Sequence, residues 1–175
     1  MTSENDRIRR LVLLRHAKAE HGGQPDELRP LALTGRRQCV RVAAALTGHD
    51  LIPELVLCSS AVRARQTWEL VRAGLGDVEP EVVVTDNLYQ AGVAEILAQL
   101  RDVDERVRTV LIVGHEPTMS TVASALAGDG SDDAAVAQVR DGMPTGGVAV
   151  LELGGHWGDL ERGHARLHAV ISPHR

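Results

Sequence analysis

The chain alternates short, uninterrupted apolar runs with longer segments whose apolar residues recur every three or four positions. The runs at 11–14, 55–57, 82–84, 110–113 and 148–151 lack polar alternation, which suits strands covered on both faces. Segments 34–46, 60–75, 94–100 and 117–126 have helical spacing, with Thr34 and Ser60 placed as N-caps and Pro117 at a first helical position. This order predicts an α/β fold: a three-layer sandwich whose mostly parallel central sheet has an antiparallel edge strand and helices on both faces. The stretch 128–147 reads as one long irregular segment able to fold over the sheet end as a lid. After it, "GVAVLEL" and "HARLHAVI" read as strands of the antiparallel edge. No repeat or linker divides the chain, so a single domain over 1–175 is expected, with a disordered tail at 1–8.

Composition narrows the function classes. Apolar residues make up 43% and charged residues 25% of the 175 positions, which is globular composition. The longest apolar runs fall far short of the roughly 20 residues that cross a bilayer, and "MTSENDRIRR" lacks the apolar centre of a secretory signal. A cytoplasmic protein with no membrane partner is expected. A net charge of −5 gives nucleic acid nothing to attract, so any anion site must be local. With two cysteines, free thiols are expected rather than a disulfide framework. Phe is absent and aromatics are 2%, so Ala, Val and Leu must fill the core and base stacking is disfavoured.

In open α/β sheets ligands bind beyond the carboxyl ends of the strands. The first run ends on Arg15 and His16, the second on Ser59, Ser60 and Arg63, the fourth on Gly114, His115 and Glu116. Two arginines and two histidines at three strand ends suit a phosphoryl group. Guanidinium forks bind phosphate oxygens bidentately, helix N-termini add N–H groups, and imidazole can attack phosphorus. Taken singly, each residue reads as solvated surface; their convergence on one sheet edge carries the argument.

"LRHAKAE" at 14–20, "RPLALTGRRQ" at 29–38, "SSAVRARQT" at 59–67 and "VGHEP" at 113–117 resemble, in order and spacing, the histidine phosphatase superfamily, and more narrowly its short SixA-type phosphohistidine phosphatases. The resemblance implies that His16 is the nucleophile that becomes transiently phosphorylated. It implies that Arg15 and Arg63 hold phosphoryl oxygens, that His115 completes the pocket, and that no metal or other cofactor is needed. The partners it implies are a phosphorylated protein, such as a phosphorelay histidine domain, and inorganic phosphate as product.

Departures from the family pattern sharpen this expectation. Ala17 replaces the usual glycine after the nucleophile, which is tolerable where the backbone needs no positive φ. Gly22 and Gly23 occupy the region of an asparagine carried by larger relatives, and Arg29 is a candidate to reach the pocket instead. Where those relatives place an acid after the third strand, this chain has Leu88, Tyr89 and Gln90. A phosphohistidine imidazole leaves more readily than an alkoxide, so the missing acid favours an N–P substrate. Glu20, Asp86 and Glu116 stand as candidate proton donors, although each reads more readily as a solvated carboxylate or helix-start charge.

Other chemistries fit less well. A cysteine phosphatase needs an arginine six positions after its cysteine, but Ala64 stands there after Cys58, with arginines at 63 and 65; Cys58 and Cys39 read as small buried hydrophobes. "DGSDD" at 129–133 has Ala134 and Arg140 where a calcium loop needs glycine and glutamate. His164 and His168 read as neighbours on one face of a strand rather than as helical metal ligands. A phosphomonoesterase acting on small molecules or phosphoserine/threonine, and an inactive phosphate-binding or docking module, are the competing readings.

Overall fold

A strand that is apolar at every position needs cover on both faces, and the computed structural model, which describes residues 8–173, supplies it. Strands β1 (Arg9–Arg15), β2 (Leu55–Ser59), β3 (Glu81–Thr85), β4 (Thr109–Gly114), β5 (Val148–Leu153) and β6 (Arg166–Ile171) form one sheet in the order β3-β2-β4-β1-β5-β6. The first four are mutually parallel, β5 runs antiparallel to β1, and β6 antiparallel to β5. Helices α1 (Leu33–Gly48) and α2 (Val62–Ala73) cover one face; α3 (Val93–Arg101), α4 (Thr118–Leu126) and α5 (Asp133–Asp141) cover the other.

The side-chain period of two divides the core accordingly. Leu11, Leu13, Val110 and Ile112 pack with α3, α4 and α5, whereas Val12, Leu14, Leu111 and Val113 pack with α1 and α2. All eight are fully buried, each stabilising the fold by about 1.5–3 kcal/mol. Apart from Ile8, the tail expected at 1–8 lies outside the described residues.

Several local expectations change. Asp132 accepts the Ala135 N–H at 2.9 Å and starts α5, so the segment expected to be irregular contains a helix; Gly and Asp punctuation on both sides masks its short apolar face. Thr34 and Ser60 are not caps, because α1 starts after Ala32 and α2 after Ala61. Pro117 precedes α4 rather than opening it. Strand β3 is the sheet edge, so Val82, Val83 and Val84 stay 39–49% exposed despite reading as buried. Among the described residues no helix is long and apolar enough to cross a membrane.

This topology sets up one end of the sheet. Arg15 pairs in register with Gly114, Cys58 with Val113, and the His16 N–H donates to the Gly114 carbonyl at 3.0 Å. The residues following β1 and β4, His16 and His115, therefore emerge side by side, with Ser59 at the end of β2 next to them.

Candidate active site

His16 is 8% exposed, and its Nδ1 lies 2.7 Å from the Ala17 carbonyl oxygen. A carbonyl only accepts, so Nδ1 carries the proton and Nε2 presents a lone pair. The Nε–H of Arg63 donates to that Nε2 at 3.3 Å, in agreement with this tautomer. Burial foremost, then the charges of His115, Arg63 and Arg15, lower the His16 pKa to about 3, so the ring is neutral at physiological pH.

The His115 ring centroid lies 5.1 Å from that of His16. Its Nδ1 faces Arg63 Nη2 at 3.4 Å, and its Nε2 lies 2.7 Å from Ser59 Oγ. Guanidinium only donates, so the proton resides on Nε2 and goes to Ser59. Burial first, then Arg63, brings this pKa down to about 4.

Arg15 donates from Nη1 to the Met143 carbonyl at 2.7 Å, while its buried Nε has no hydrogen-bond partner. The carbonyl it uses is itself fixed, because Glu116 Oε2 accepts the Met143 N–H at 3.0 Å. Glu116 also accepts the Ser120 N–H and hydroxyl, each at 2.8 Å. With three donors already on its carboxylate, Glu116 anchors α4 and the Met143 segment. Glu20 is exposed in the following loop, and Asp86 lines the neighbouring cleft.

Arg63 is nearly buried and meets a residue that sequence reasoning missed. Its Nη1 donates to the Asp26 carbonyl at 2.7 Å and its Nη2 to Asp26 Oδ2 at 3.0 Å. The other carboxylate oxygen takes Arg29 Nε at 3.0 Å and Nη2 at 2.9 Å, and Tyr89 donates its hydroxyl to Oδ2. The Tyr89 hydrogen bond first, then those of Arg29 and Arg63, hold the Asp26 carboxyl far below the usual range. Arg29 thus stands at the pocket rim, one carboxylate away from Arg63. Tyr89 also meets the His115 ring edge-on at 5.4 Å between centroids. The only sequence signal for Asp26 is its position three residues before Arg29 in a Pro-initiated turn; its link to Tyr89 spans 63 residues and exists only in the fold.

The "RPLALTGRRQ" block holds the loop after His16 in place. Lys18 donates its N–H to Gln38 Oε1 at 2.9 Å, and its carbonyl accepts the Ala32 N–H at 2.9 Å. A Cβ on Gly35 would stand 2.1 Å from the Lys18 carbonyl oxygen, so only glycine lets α1 approach this closely. Thr67 accepts the Ala17 N–H at 3.0 Å, locking the same loop to α2. Ala17 does not have a positive φ, which is why its methyl is accommodated.

The remaining candidates separate from the site. Burial pushes the Cys58 thiol up to about 12 and the Cys39 thiol to about 11, so neither supplies a thiolate. His164 precedes β6 and faces Glu161, whereas His168 lies near Glu152, so the two belong to different surface pairs. Among the described residues no three His, Cys, Asp or Glu side chains gather as a metal site requires. A cleft of about 500 Å³ adjoins the site, lined by Glu27, Leu28, Arg65, Asp86 and Tyr89 among others.

Two imidazoles, each turning an unprotonated nitrogen toward Arg63, and three arginines at one sheet end form a site for attack on a bound phosphoryl group. Comparison with known proteins agrees. The model of the histidine phosphatase superfamily (branch 1) matches residues 11–91. An uncharacterized protein of Mycobacterium tuberculosis is 39% identical over 156 residues, covering 88% of this chain and 96% of the relative. The structure of SixA from Nakamurella multipartitia superposes with a TM-score of 0.83 at 35% identity, covering 95% of this chain and 96% of that one. The protein histidine phosphatase SixA complexed with tungstate gives 0.75 at 25% identity, covering 94% and 97%. The chain belongs to the histidine phosphatase superfamily, among its SixA-like members, and is a phosphatase.

Proposed function

We propose that the protein removes the phosphoryl group from phosphohistidine on proteins, through a phosphorylated His16. The Nε2 lone pair of His16 attacks phosphorus, the substrate P–N bond breaks, and the phosphoryl group moves to Nε2. Water then attacks the phosphorylated His16 and inorganic phosphate leaves. Arg15 and Arg63 hold the phosphoryl oxygens with Arg29 at the rim, and fixed cations lower the barrier most where charge spreads over those oxygens. His115 takes up a proton on Nδ1 when the anion arrives and becomes a further donor.

The observation that carries the N–P assignment is the state of the carboxylates beside the arginines. Asp26 is held ionised by Tyr89, Arg29 and Arg63, and Glu116 is filled by donors from Ser120 and Met143. Neither is a proton donor in this arrangement. A phosphoimidazole that arrives protonated on its second nitrogen leaves as neutral imidazole and needs no acid, whereas an alkoxide has no such second site. The tungstate complex of the SixA relative supports a tetrahedral oxyanion as ligand. Asp86 in the adjoining cleft supports a second reading, in which it protonates an alkoxide and the enzyme is a phosphomonoesterase.

The deciding experiment is phosphate release from a phosphohistidine peptide, a phosphoserine peptide and an aryl phosphate. Fast, His16-dependent release from phosphohistidine alone is expected. Comparable release from the esters, lost in Asp86→Asn, establishes the second reading in its place.

A further inference from the structure

Asp26 lies in the short turn Asp26–Leu28, which enters the site from a fully exposed stretch containing Gly22 and Gly23. Both glycines have left-handed φ, +78° and +84°, with nothing packed where a Cβ would stand. The turn is held to the body of the site chiefly by its anion. Asp26 has a side chain 50% exposed, yet the Arg63 side chain it caps is 7% exposed. A buried cation here meets a solvated carboxylate at the mouth of the pocket.

That contact conflicts with a phosphoryl group. Arg63 Nη2 serves both Asp26 Oδ2 at 3.0 Å and His115 Nδ1 at 3.4 Å. A phosphoryl oxygen bound between Arg63 and the two imidazoles would share Nη2 with Oδ2, setting two anionic oxygens against one another on a single donor. The other end of the guanidinium is no freer, because Nη1 is taken by the Asp26 carbonyl. The same turn contributes Glu27 and Leu28 to the adjoining cleft, and Tyr89, which holds Asp26, lines that cleft too.

We infer that Asp26 is a specificity-determining residue: its carboxylate occupies a phosphoryl oxygen's place on Arg63, and a substrate whose carrier fills the adjoining cleft displaces the Asp26–Leu28 turn more readily than bare phosphate does. The inference deepens the phosphohistidine reading and rests on it for the carrier. A ligand that must first open the turn binds with an affinity reduced by the fraction of molecules already open. Inorganic phosphate suffers the whole reduction, which favours release of the product. A phosphorylated peptide offsets it with contacts along Val62, Arg65 and Gln90, which line the cleft outside the turn.

The test is a calorimetric titration of inorganic phosphate into the wild type, Asp26→Asn and Tyr89→Phe, followed by comparison of kcat/KM on a phosphohistidine peptide and on free phosphoimidazole. Asp26→Asn is expected to bind phosphate at least fivefold more tightly, with Tyr89→Phe shifting in the same direction by less. The preference for the peptide is expected to fall at least threefold in Asp26→Asn. Unchanged or weaker phosphate binding in Asp26→Asn overturns the inference, because a residue that merely orients Arg63 loosens the pocket when removed. Tighter phosphate with an unchanged peptide preference overturns the specificity role. The phosphate titration requires no turnover, so it reports on Asp26 even where the phosphohistidine assignment fails. Arg63→Ala serves as control: phosphate affinity unchanged in that variant removes the pocket and the inference together.

Discussion

Strand β1 carries an arginine at each end, Arg9 buried and Arg15 half-buried, and the two live differently. Arg9 donates to the Gly155 carbonyl at 2.9 Å and the Glu105 carbonyl at 2.7 Å, and pairs with the Glu105 carboxylate at 3.3 Å. That carboxylate also takes the N–H groups of Trp157 and Gly158, each at 2.9 Å, closing a clasp at the amino end of the sheet. The Nε of both arginines is buried without a hydrogen-bond partner, but Arg15, six positions on, has a single carbonyl and, among the described residues, no carboxylate. A buried cation with its counter-charge in place serves the fold; a half-buried one without it is kept for an anion from outside.

Removing His16, the proposed nucleophile, breaks the comparison most sharply. His16→Ala is expected to lower turnover on the order of 10³-fold or more while keeping the thermal midpoint, since a buried, desolvated imidazole contributes little to stability. Residual activity above one tenth would sink the assignment of His16. The arginine pair should then separate stability from catalysis. Arg9→Ala is expected to destabilise by about 3 kcal/mol in urea titrations, through the loss of charge-assisted bonds, while leaving kcat intact. Arg15→Ala should cost about 1 kcal/mol of stability and about 10²-fold in kcat/KM. Equal effects on both quantities in both variants would erase the contrast between the two ends.

Acid should loosen the catalytic end. His16 and His115 have pKa values near 3 and 4, against about 6.5 in the unfolded chain, so below pH 6.5 the unfolded state binds protons that the folded state refuses. Stability therefore falls as pH drops from 6.5 towards 4, by about 2 kcal/mol for each imidazole at pH 5 and about 4 kcal/mol for the two together. The double variant His16→Ala/His115→Ala should flatten that slope in pH-dependent denaturation, and an unaltered slope would refute the account. Asp26, with a depressed carboxyl, adds a smaller loss below pH 4. The smallest effect is expected at Cys58, whose substitution by Ala should leave turnover unchanged; native-state thiol labelling should find neither cysteine reactive.

The sequence reveals the catalytic end better than its surroundings, for physical reasons. Arg15, His16, Arg63 and His115 each follow a strand whose apolar run is visible, so strand order and the carboxyl-end rule bring them together. Asp26 and Tyr89 belong to no periodic element, and their partnership depends on how two loops meet. The exposure of the β3 valines is hidden for a related reason: a run without alternation implies cover on both faces, and only the sheet order reveals that this strand is the edge. Helix α5 is no shorter than α3 or α4, but glycines and aspartates crowd both of its ends and hide its short apolar face.

The His16 ring is oriented by the carbonyl of the very next residue, with no side chain standing behind it. The choice of attacking nitrogen is thus inherited with the main chain. No substitution at another position can remove the acceptor that selects Nε2, so under the proposed mechanism every active variant should carry the phosphoryl group on that one nitrogen, however far its specificity drifts.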